Sequence, residues 1–174
     1  MSTLVPDSAP VTLHAGGASF LRLVRSGWKF RLFMFSKLPA AYFSGVRVKS
    51  ITPAEATVTV PYKWFSQNPF RSTYFACQAM AAEMSTGLLA MMHIHERRPA
   101  VSMLVVGIEG SFHKKATGVT AFTCTDGGAI ARAIEEAVVT GESRQVRAES
   151  KGFNEPGDLV AVFYITWSFR AKSV

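Results

Sequence analysis

A single carboxylate interrupts the most apolar stretch of the chain. The segment Tyr74–Ile94 contains no Lys, Arg, Asp or Glu except Glu83, and Gly87, one helical turn further on, leaves room for a ligand or another chain. Burying an unpaired carboxylate is costly, and burial raises its pKa, which suits a general base near neutral pH or an attacking nucleophile. The structural alternative is an ion pair with Arg71, Arg97 or a base of a second chain.

An asparagine lies in the loop that precedes this segment. Asn68 is followed by Pro69, and its amide both donates and accepts hydrogen bonds, so it can orient a substrate oxygen or an attacking water. Turn formation is the structural alternative, because asparagine before proline commonly starts a turn. Where the apolar segment begins, backbone N–H groups near Tyr74, Phe75 and Ala76 are suited to stabilise an oxyanion.

Three basic residues follow one another at a predicted strand end, His113, Lys114 and Lys115. They are suited to hold phosphate groups, and a solvated edge that discourages sheet aggregation is the alternative. The segment His93–Glu96 contains two histidines, but residues two apart on a helix do not share a face. The sequence therefore predicts no metal site.

The composition is that of one folded domain. The chain has 174 residues, of which 48% are hydrophobic and 18% are charged, so a sizeable core is possible and disorder is excluded for most of its length. Its two cysteines, Cys77 and Cys124, exclude a disulfide scaffold. With no apolar run behind a basic start, the N-terminus lacks a secretion signal, and a reducing, cytoplasmic setting is expected.

The positive charge is concentrated near the N-terminus. The formal net charge is +7, and no acidic residue occurs between Ser8 and Ala54. Seven bases there account for the whole excess: Arg22, Arg25, Lys29, Arg31, Lys37, Arg47 and Lys49. A phosphate-bearing partner is one interpretation, and aromatic residues among the bases favour a membrane surface. A solvated helix face is the alternative, and no recognition motif supports a nucleic-acid partner.

The hydrophobic periodicity predicts an α+β fold. Residues 1–17 are predicted to form a flexible lead-in, followed by a helical segment Ser19–Lys37 that Gly27 splits and Pro39 ends. Six strands are predicted, at Val46–Ile51, Ala56–Tyr62, Val101–His113, Gly118–Cys124, Ser143–Phe153 and Leu159–Phe169. Two further helices are predicted: Tyr74–Ile94, capped by Ser72 or Thr73, and Ala129–Val139 after a turn at Asp126–Gly128.

The apolar helix is predicted to be wrapped by an antiparallel sheet rather than to cross a membrane. A carboxylate at Glu83 would stand near the middle of the bilayer, where it is expensive. A sheet curled around the helix hides the apolar surface instead. We expect an N-terminal extension over residues 1–37 and the main domain over residues 38–174.

The order of these features resembles the hotdog-fold acyl-CoA thioesterase superfamily, and more closely an uncharacterised, thioesterase-like bacterial branch of it. The resemblance runs from Leu38 to Arg170. The first two strands resemble the opening hairpin of the family. Other resembling segments are Asn68-Pro69 before the central helix, Ala79–Gly87 within it, Phe112–Gly118 at a strand ending, and Gly157–Ala161 with Thr166-Trp167 in the last hairpin and strand.

The resemblance implies hydrolysis of an acyl-CoA to a carboxylic acid and free CoA, with Glu83 as general base or nucleophile and Asn68 positioning substrate or water. The implied substrate-binding residues are Tyr74, Phe75, Ala76, Gly87, His113, Lys114 and Lys115. No metal or redox cofactor is needed, because CoA enters as part of the substrate. Family sites form between subunits, so a homodimer or a dimer of dimers is expected, with Asn68 and Glu83 acting from opposite chains.

One segment departs from the family pattern. Tyr74-Phe75-Ala76 stand where phenylacetate-type thioesterases place a histidine and two glycines, which let the substrate carbonyl approach backbone N–H groups. Larger side chains crowd or reshape that approach. A second hypothesis is therefore a non-catalytic acyl-CoA or fatty-acid binding protein, in contact with membranes through its basic N-terminal helices. Turnover that depends on Glu83 distinguishes the two.

Overall fold

The architecture is a six-stranded antiparallel sheet around a central helix. The computed structural model describes residues 13–172. The strands lie in the spatial order β1-β2-β4-β5-β6-β3. Their bounds are β1 Arg47–Ile51, β2 Ala56–Val60, β3 Val101–Phe112, β4 Thr120–Cys124, β5 Arg144–Asn154 and β6 Leu159–Ala171. All six strands and the α+β class predicted from the sequence are confirmed, with ends that shift by a few residues.

The central helix α4 spans Phe75–Ile94 and is covered by strands β2, β4, β5 and β6. Its inward side chains, Leu89 and Met92 among them, are fully buried. Polar pairs fix its rotation: Ser85 Oγ lies 2.8 Å from Ser150 Oγ, and the Trp167 indole N–H donates to Thr86 Oγ1 at 2.9 Å. A helix apolar on every side needs such enclosure, which confirms the predicted central helix.

Three helices precede the sheet, where two were predicted. They are α1 Ala15–Arg25, α2 Gly27–Lys37 and α3 Pro39–Ser44. The predicted split into two helices is confirmed, although the break falls at Ser26 and Gly27 is the first residue of α2. Pro39 begins α3 rather than only ending α2, because proline is well tolerated in the first helical turn. Residues 1–12 of the predicted lead-in lie outside the described residues.

The two glycines of α1 were wrongly placed in the lead-in. Gly16 and Gly17 lie inside the helix, against the backbone carbonyls of His95 and Met92 at the end of α4. A Cβ at either position would collide with the carbonyl oxygen it faces. The absence of side chains therefore allows α1 to pack directly on the backbone of α4.

Two predicted local features are corrected. Ser72 and Thr73 do not cap α4; its N-cap is Tyr74, without a side-chain cap, because Ser72 Oγ donates to Asn68 Oδ1 and Thr73 Oγ1 to the Ala116 carbonyl. The predicted turn at Asp126–Gly128 is instead the start of helix α5, Gly127–Thr140. The carboxylate of Asp126 accepts the Glu149 N–H at 2.7 Å and so ties the helix start to β5.

Strand β3 forms one edge of the sheet, and its only strand partner in the described chain is β6. Its exposed side chains include four large apolar residues, Leu104, Val106, Ile108 and Phe112. An apolar, unpaired edge is a common place for strand pairing between chains.

The boundary predicted between residues 37 and 38 falls between α2 and α3 and stays a prediction. Across residues 13–172, no helix is both long and apolar enough to span a membrane.

Candidate functional site

A cavity of about 770 Å³ opens where the loop before α4 faces the end of β3. We call it the loop cavity. It is lined by residues 67–70, 72–75, 78 and 112–116. Six of the predicted site residues are on its wall: Asn68, Tyr74, Phe75, His113, Lys114 and Lys115. Tertiary structure thus brings together residues that are separated in the chain by helix α4 and strand β3.

The side chain of Asn68 organises the loop. Its Oδ1 accepts hydrogen bonds from the Phe70 N–H at 2.9 Å, from the Ser72 N–H at 3.3 Å and from the Ser72 hydroxyl at 3.2 Å. Its Nδ2 donates to no acceptor within residues 13–172. The oxygen therefore stabilises the turn, which is the structural alternative considered for Asn68 from the sequence. The amide nitrogen is available for a ligand.

The first turn of α4 offers backbone donors beside this amide. The N–H groups of Cys77 and Gln78 both donate to the Tyr74 carbonyl, at 2.9 and 3.2 Å. Those of Phe75 and Ala76 have no acceptor in the described part of the chain. Free N–H groups at a helix start stabilise negative charge. Of the three residues predicted here, Tyr74 and Phe75 line the cavity and Ala76 does not.

Gln78 is a candidate site residue that sequence reasoning missed. Its side chain is buried on the wall of the loop cavity, and its Nε2 donates to the Thr73 carbonyl at 3.1 Å. Its Oε1 is buried without a partner among residues 13–172. A buried, unpaired amide oxygen is uncommon in proteins, so Gln78 Oε1 is a candidate acceptor for a ligand donor. An amide inside an apolar helix was the sequence signal.

The basic residues of the loop cavity differ in the ion pairs and hydrogen bonds that they form. Lys114 Nζ pairs with Asp158 Oδ2 at 2.6 Å, and this lysine lowers the pKa of the Asp158 carboxyl. Lys115 Nζ lies 3.5 Å from the Phe70 carbonyl oxygen, and His113 Nε2 lies 3.3 Å from Ser111 Oγ. All three are exposed. Lys115 and His113 are therefore the groups best placed to meet an incoming anion.

Glu83 lies in a different place. It lines an apolar cavity of about 300 Å³ between α1, α2, α4, β3 and β6, which we call the helix cavity. Glu83 and Lys37 are the charged residues on its wall. The other lining residues are apolar: Phe20, Phe30, Phe33, Leu38, Met84, Gly87, Leu88, Met91, Met103 and Trp167.

The carboxylate of Glu83 is unpaired. Between residues 13 and 172, no cation and no hydrogen-bond donor contacts it, and burial raises the pKa of this carboxyl above its usual value. The ion pair considered with Arg97 is not formed, because Arg97 holds Glu135 through two hydrogen bonds of 2.7 Å. Gly87 does leave space here, since a Cβ added to it would lie 3.3 Å from Glu83 Oε1.

The structure does not bring all the predicted site residues into one cavity of a single chain. The loop cavity and the helix cavity share no lining residue, so Asn68 belongs to the loop cavity, and Glu83 with Gly87 to the helix cavity.

The thiol of Cys77 is buried 3.6 Å from Ser44 Oγ, as expected of a core residue. In the described range, no group of three or more His, Cys, Asp or Glu is arranged to hold a metal ion.

Comparisons with known proteins relate the chain to one family and one fold. Residues 27–169 match the family described as "Domain of unknown function (DUF4442)". No curated protein matches the chain. Among solved structures, the Pseudomonas aeruginosa protein PA5026, described as "Probable Thioesterase", has 19% identity and a TM-score of 0.68, covering 89% of this chain and 95% of that one.

Two further solved structures have the same architecture. A Chlorobaculum tepidum protein of unknown function has 15% identity and a TM-score of 0.72, covering 88% of this chain and 99% of its own. The thioesterase HI1161 from Haemophilus influenzae has 10% identity and a TM-score of 0.60, covering 83% and 90%. At these identities the likeness establishes the fold, which is the hotdog fold expected from the sequence.

Proposed function

The chain belongs to the DUF4442 family, and we propose that it hydrolyses an acyl-CoA thioester to a carboxylic acid and free CoA. One observation carries the proposal: Glu83 is an unpaired carboxylate with a raised pKa on the wall of an apolar cavity. An ionisable group held this way in a cavity is a candidate catalytic base. The structural likeness to thioesterases supplies the reaction class.

In the proposed reaction, Glu83 removes a proton from a water molecule whose oxygen attacks the thioester carbonyl carbon. The C–S bond then breaks, and the CoA sulfur leaves with the proton that Glu83 releases. In the alternative, the Glu83 carboxylate attacks the carbonyl carbon directly, the C–S bond breaks and the CoA thiolate leaves; water then hydrolyses the mixed anhydride to the carboxylic acid and free Glu83, and the released proton goes to the thiolate. Oxyanion stabilisation would come from the free N–H groups of Phe75 and Ala76, with Asn68 Nδ2 positioning the substrate.

The proposed site is shared between two chains. Asn68 and Glu83 lie in separate cavities of one chain. The loop cavity has the Asn68 amide but no carboxylate on its wall, and the helix cavity has the Glu83 carboxylate but no amide side chain. A homodimer that pairs the apolar β3 edges, alone or within a dimer of dimers, would allow the loop cavity of one chain to face the α4 helix of its partner. This arrangement agrees with the assembly that the family resemblance implied.

The charges and apolar surfaces suggest how the substrate is held. His113, Lys114 and Lys115 would contact CoA phosphates at the loop cavity, and the apolar walls of the helix cavity would receive the acyl chain. CoA enters as part of the substrate, and no further cofactor is proposed. The two cysteines are free thiols, in keeping with the cytoplasmic setting that stays a prediction.

Thiol release from acyl-CoAs tests the proposal. Wild type, Glu83→Gln and Glu155→Gln would be compared on short, medium, long and aromatic acyl-CoAs, with folding checked for each. Glu155 is an exposed carboxylate in the β5–β6 turn, so its variant controls for the loss of one charge. We expect Glu83→Gln to lower kcat by about 100-fold or more and Glu155→Gln to leave it unchanged. Absence of turnover by wild type on every substrate would contradict hydrolysis.

A second candidate is an acyl-CoA or fatty-acid binding protein without turnover. The observation that favours it is the pair of exposed rings, Tyr74 and Phe75, which stack edge to face 4.8 Å apart beside the free N–H groups. These rings take space that a substrate carbonyl needs. Saturable binding of acyl-CoA by wild type and by Glu83→Gln, with no thiol release from either, would establish this function instead.

A further inference from the structure

Helix α2 is apolar on its outer face as well as its inner face. Trp28, Leu32 and Phe35 recur at helical spacing and are 69%, 62% and 51% exposed. The opposite face carries Phe30 and Met34, which are buried. A helix on a protein surface normally turns polar side chains outward, so an outer apolar stripe marks an interaction surface.

The apolar stripe continues beyond α2 as a line of exposed rings. The Phe35 ring lies 6.1 Å from that of Phe43, Phe43 lies 5.8 Å from Phe65, and Phe65 lies 6.2 Å from Trp64. All four rings are exposed. We call this surface the aromatic ridge, which comprises Trp28, Leu32, Phe35, Phe43, Trp64 and Phe65.

Basic side chains flank the aromatic ridge. Lys29 and Arg31 lie on the two sides of the stripe formed by α2, with Lys29 Nζ 5.6 Å from the Trp28 ring and the Arg31 guanidinium 5.9 Å from the Tyr42 ring. Neither base forms an ion pair with another residue in the range 13–172. Because residues 9–53 contain no acidic residue, nothing in this part of the sequence neutralises them.

We propose that the aromatic ridge docks on an anionic lipid bilayer. Aromatic and leucine side chains partition into the boundary between headgroups and acyl chains, while lysine and arginine attract anionic headgroups. The charge argues against a second copy at this face, because two copies would bring like charges together. Trp64 and Phe65 directly precede the loop that lines the loop cavity, so docking would place that loop near the bilayer. The proposal does not depend on catalysis.

Vesicle co-sedimentation of the full chain tests the proposal. The vesicles would contain phosphatidylcholine alone or phosphatidylcholine mixed with phosphatidylserine. Three variants would be compared with wild type: Trp28→Ser/Leu32→Ser, Lys29→Glu/Arg31→Glu, and the control Val139→Ser/Lys172→Glu. The control changes exposed residues of the same types outside the ridge. Circular dichroism and molar mass in solution would establish that each variant keeps its fold and assembly.

We expect wild type and the control to bind the anionic vesicles and to bind phosphatidylcholine far more weakly. The charge variant should lose affinity by on the order of 25-fold or more, because each base near an anionic surface contributes about fivefold. The apolar variant should lose at least about tenfold. Failure of wild type to bind anionic vesicles, or equal binding by all variants, would overturn the proposal. So would a change of oligomeric mass in the apolar variant, which would assign the ridge to contacts between copies.

Discussion

Glu83 is held in the folded chain without a partner from residues 13–172, and its protonated form is the one that burial favours. Because its pKa in the folded state exceeds the ordinary value of 4.5, ionisation opposes folding as the pH rises through the raised pKa. We therefore expect Glu83→Gln to increase the free energy of unfolding at neutral pH and to change it little below pH 4.5. Urea denaturation at both pH values measures this.

Glu135 provides a control of opposite sign. Arg97 lowers the pKa of the Glu135 carboxyl, so this group stabilises the fold above its unfolded pKa and loses that effect as the pH falls. Glu135→Gln should reduce the free energy of unfolding at neutral pH and have less effect in acid. If both variants shifted stability in the same direction with pH, the environment assigned to Glu83 would be wrong.

The two ends of the Asn68 side chain have separable roles. Asn68→Asp keeps an oxygen that accepts the three loop hydrogen bonds but removes the free donor, whereas Asn68→Ala removes both. We expect Asn68→Ala to lower the free energy of unfolding by about 1–2 kcal/mol. Asn68→Asp should stay close to wild type in stability and lose thiol release by about tenfold or more.

These two substitutions are to be assayed side by side, by denaturation and by acyl-CoA turnover. Activity in Asn68→Asp that equals wild type would remove the amide nitrogen from the site.

Residue type and spacing identified Asn68 and Glu83 as candidate site residues from the sequence. They did not predict Gln78, because only the folded chain shows that one amide oxygen has no partner there.

At the scale of elements, the packing of α1 on α4 depends on glycine. Gly17→Ala places a methyl group against the Met92 carbonyl, so α1 must move outward. We expect a loss of about 1–3 kcal/mol in the free energy of unfolding, measured by urea denaturation. Gly27→Ala is the matched control, because no atom beyond its chain neighbours and its own helix backbone lies within 4 Å of the added Cβ. A neutral effect of Gly17→Ala would mean that the two helices are not in contact as described.

Elements with one strong period were predictable from the sequence. The long apolar run predicted the central helix, and the alternation of valine and threonine predicted β2. Element starts were less predictable, because Pro39 and Asp126 suit both a break and a first helical turn. Whether such a residue breaks a helix or begins one depends on tertiary contacts, such as the hydrogen bond that the Glu149 N–H donates to the Asp126 carboxylate.

At the scale of the whole molecule, the apolar β3 edge is expected to join two chains. Leu104→Lys/Ile108→Lys places charges on exposed positions of that strand, which blocks edge pairing. We expect the molar mass in solution to fall from twice the chain mass of 19.0 kDa to 19.0 kDa. Thiol release should fall with it, because the proposed site needs both chains. Val139→Lys, at an exposed position of α5, is the control.

Molar mass by light scattering and thiol release are measured on the same samples. A Leu104→Lys/Ile108→Lys variant that stays dimeric would mean that another face joins the chains. A monomer with full activity would instead mean that one chain holds the complete site.

The sequence by itself determined the α+β class, the central helix, the strand order along the chain and the residues able to do chemistry, because periodicity and residue type are local properties. Only the tertiary structure decided that Asn68 and Glu83 lie in separate cavities. It also decided which apolar face of α2 points outward, since both faces have the same character and packing against α1 and α3 can bury only one. Long-range contacts make these choices, and no spacing along the chain encodes them.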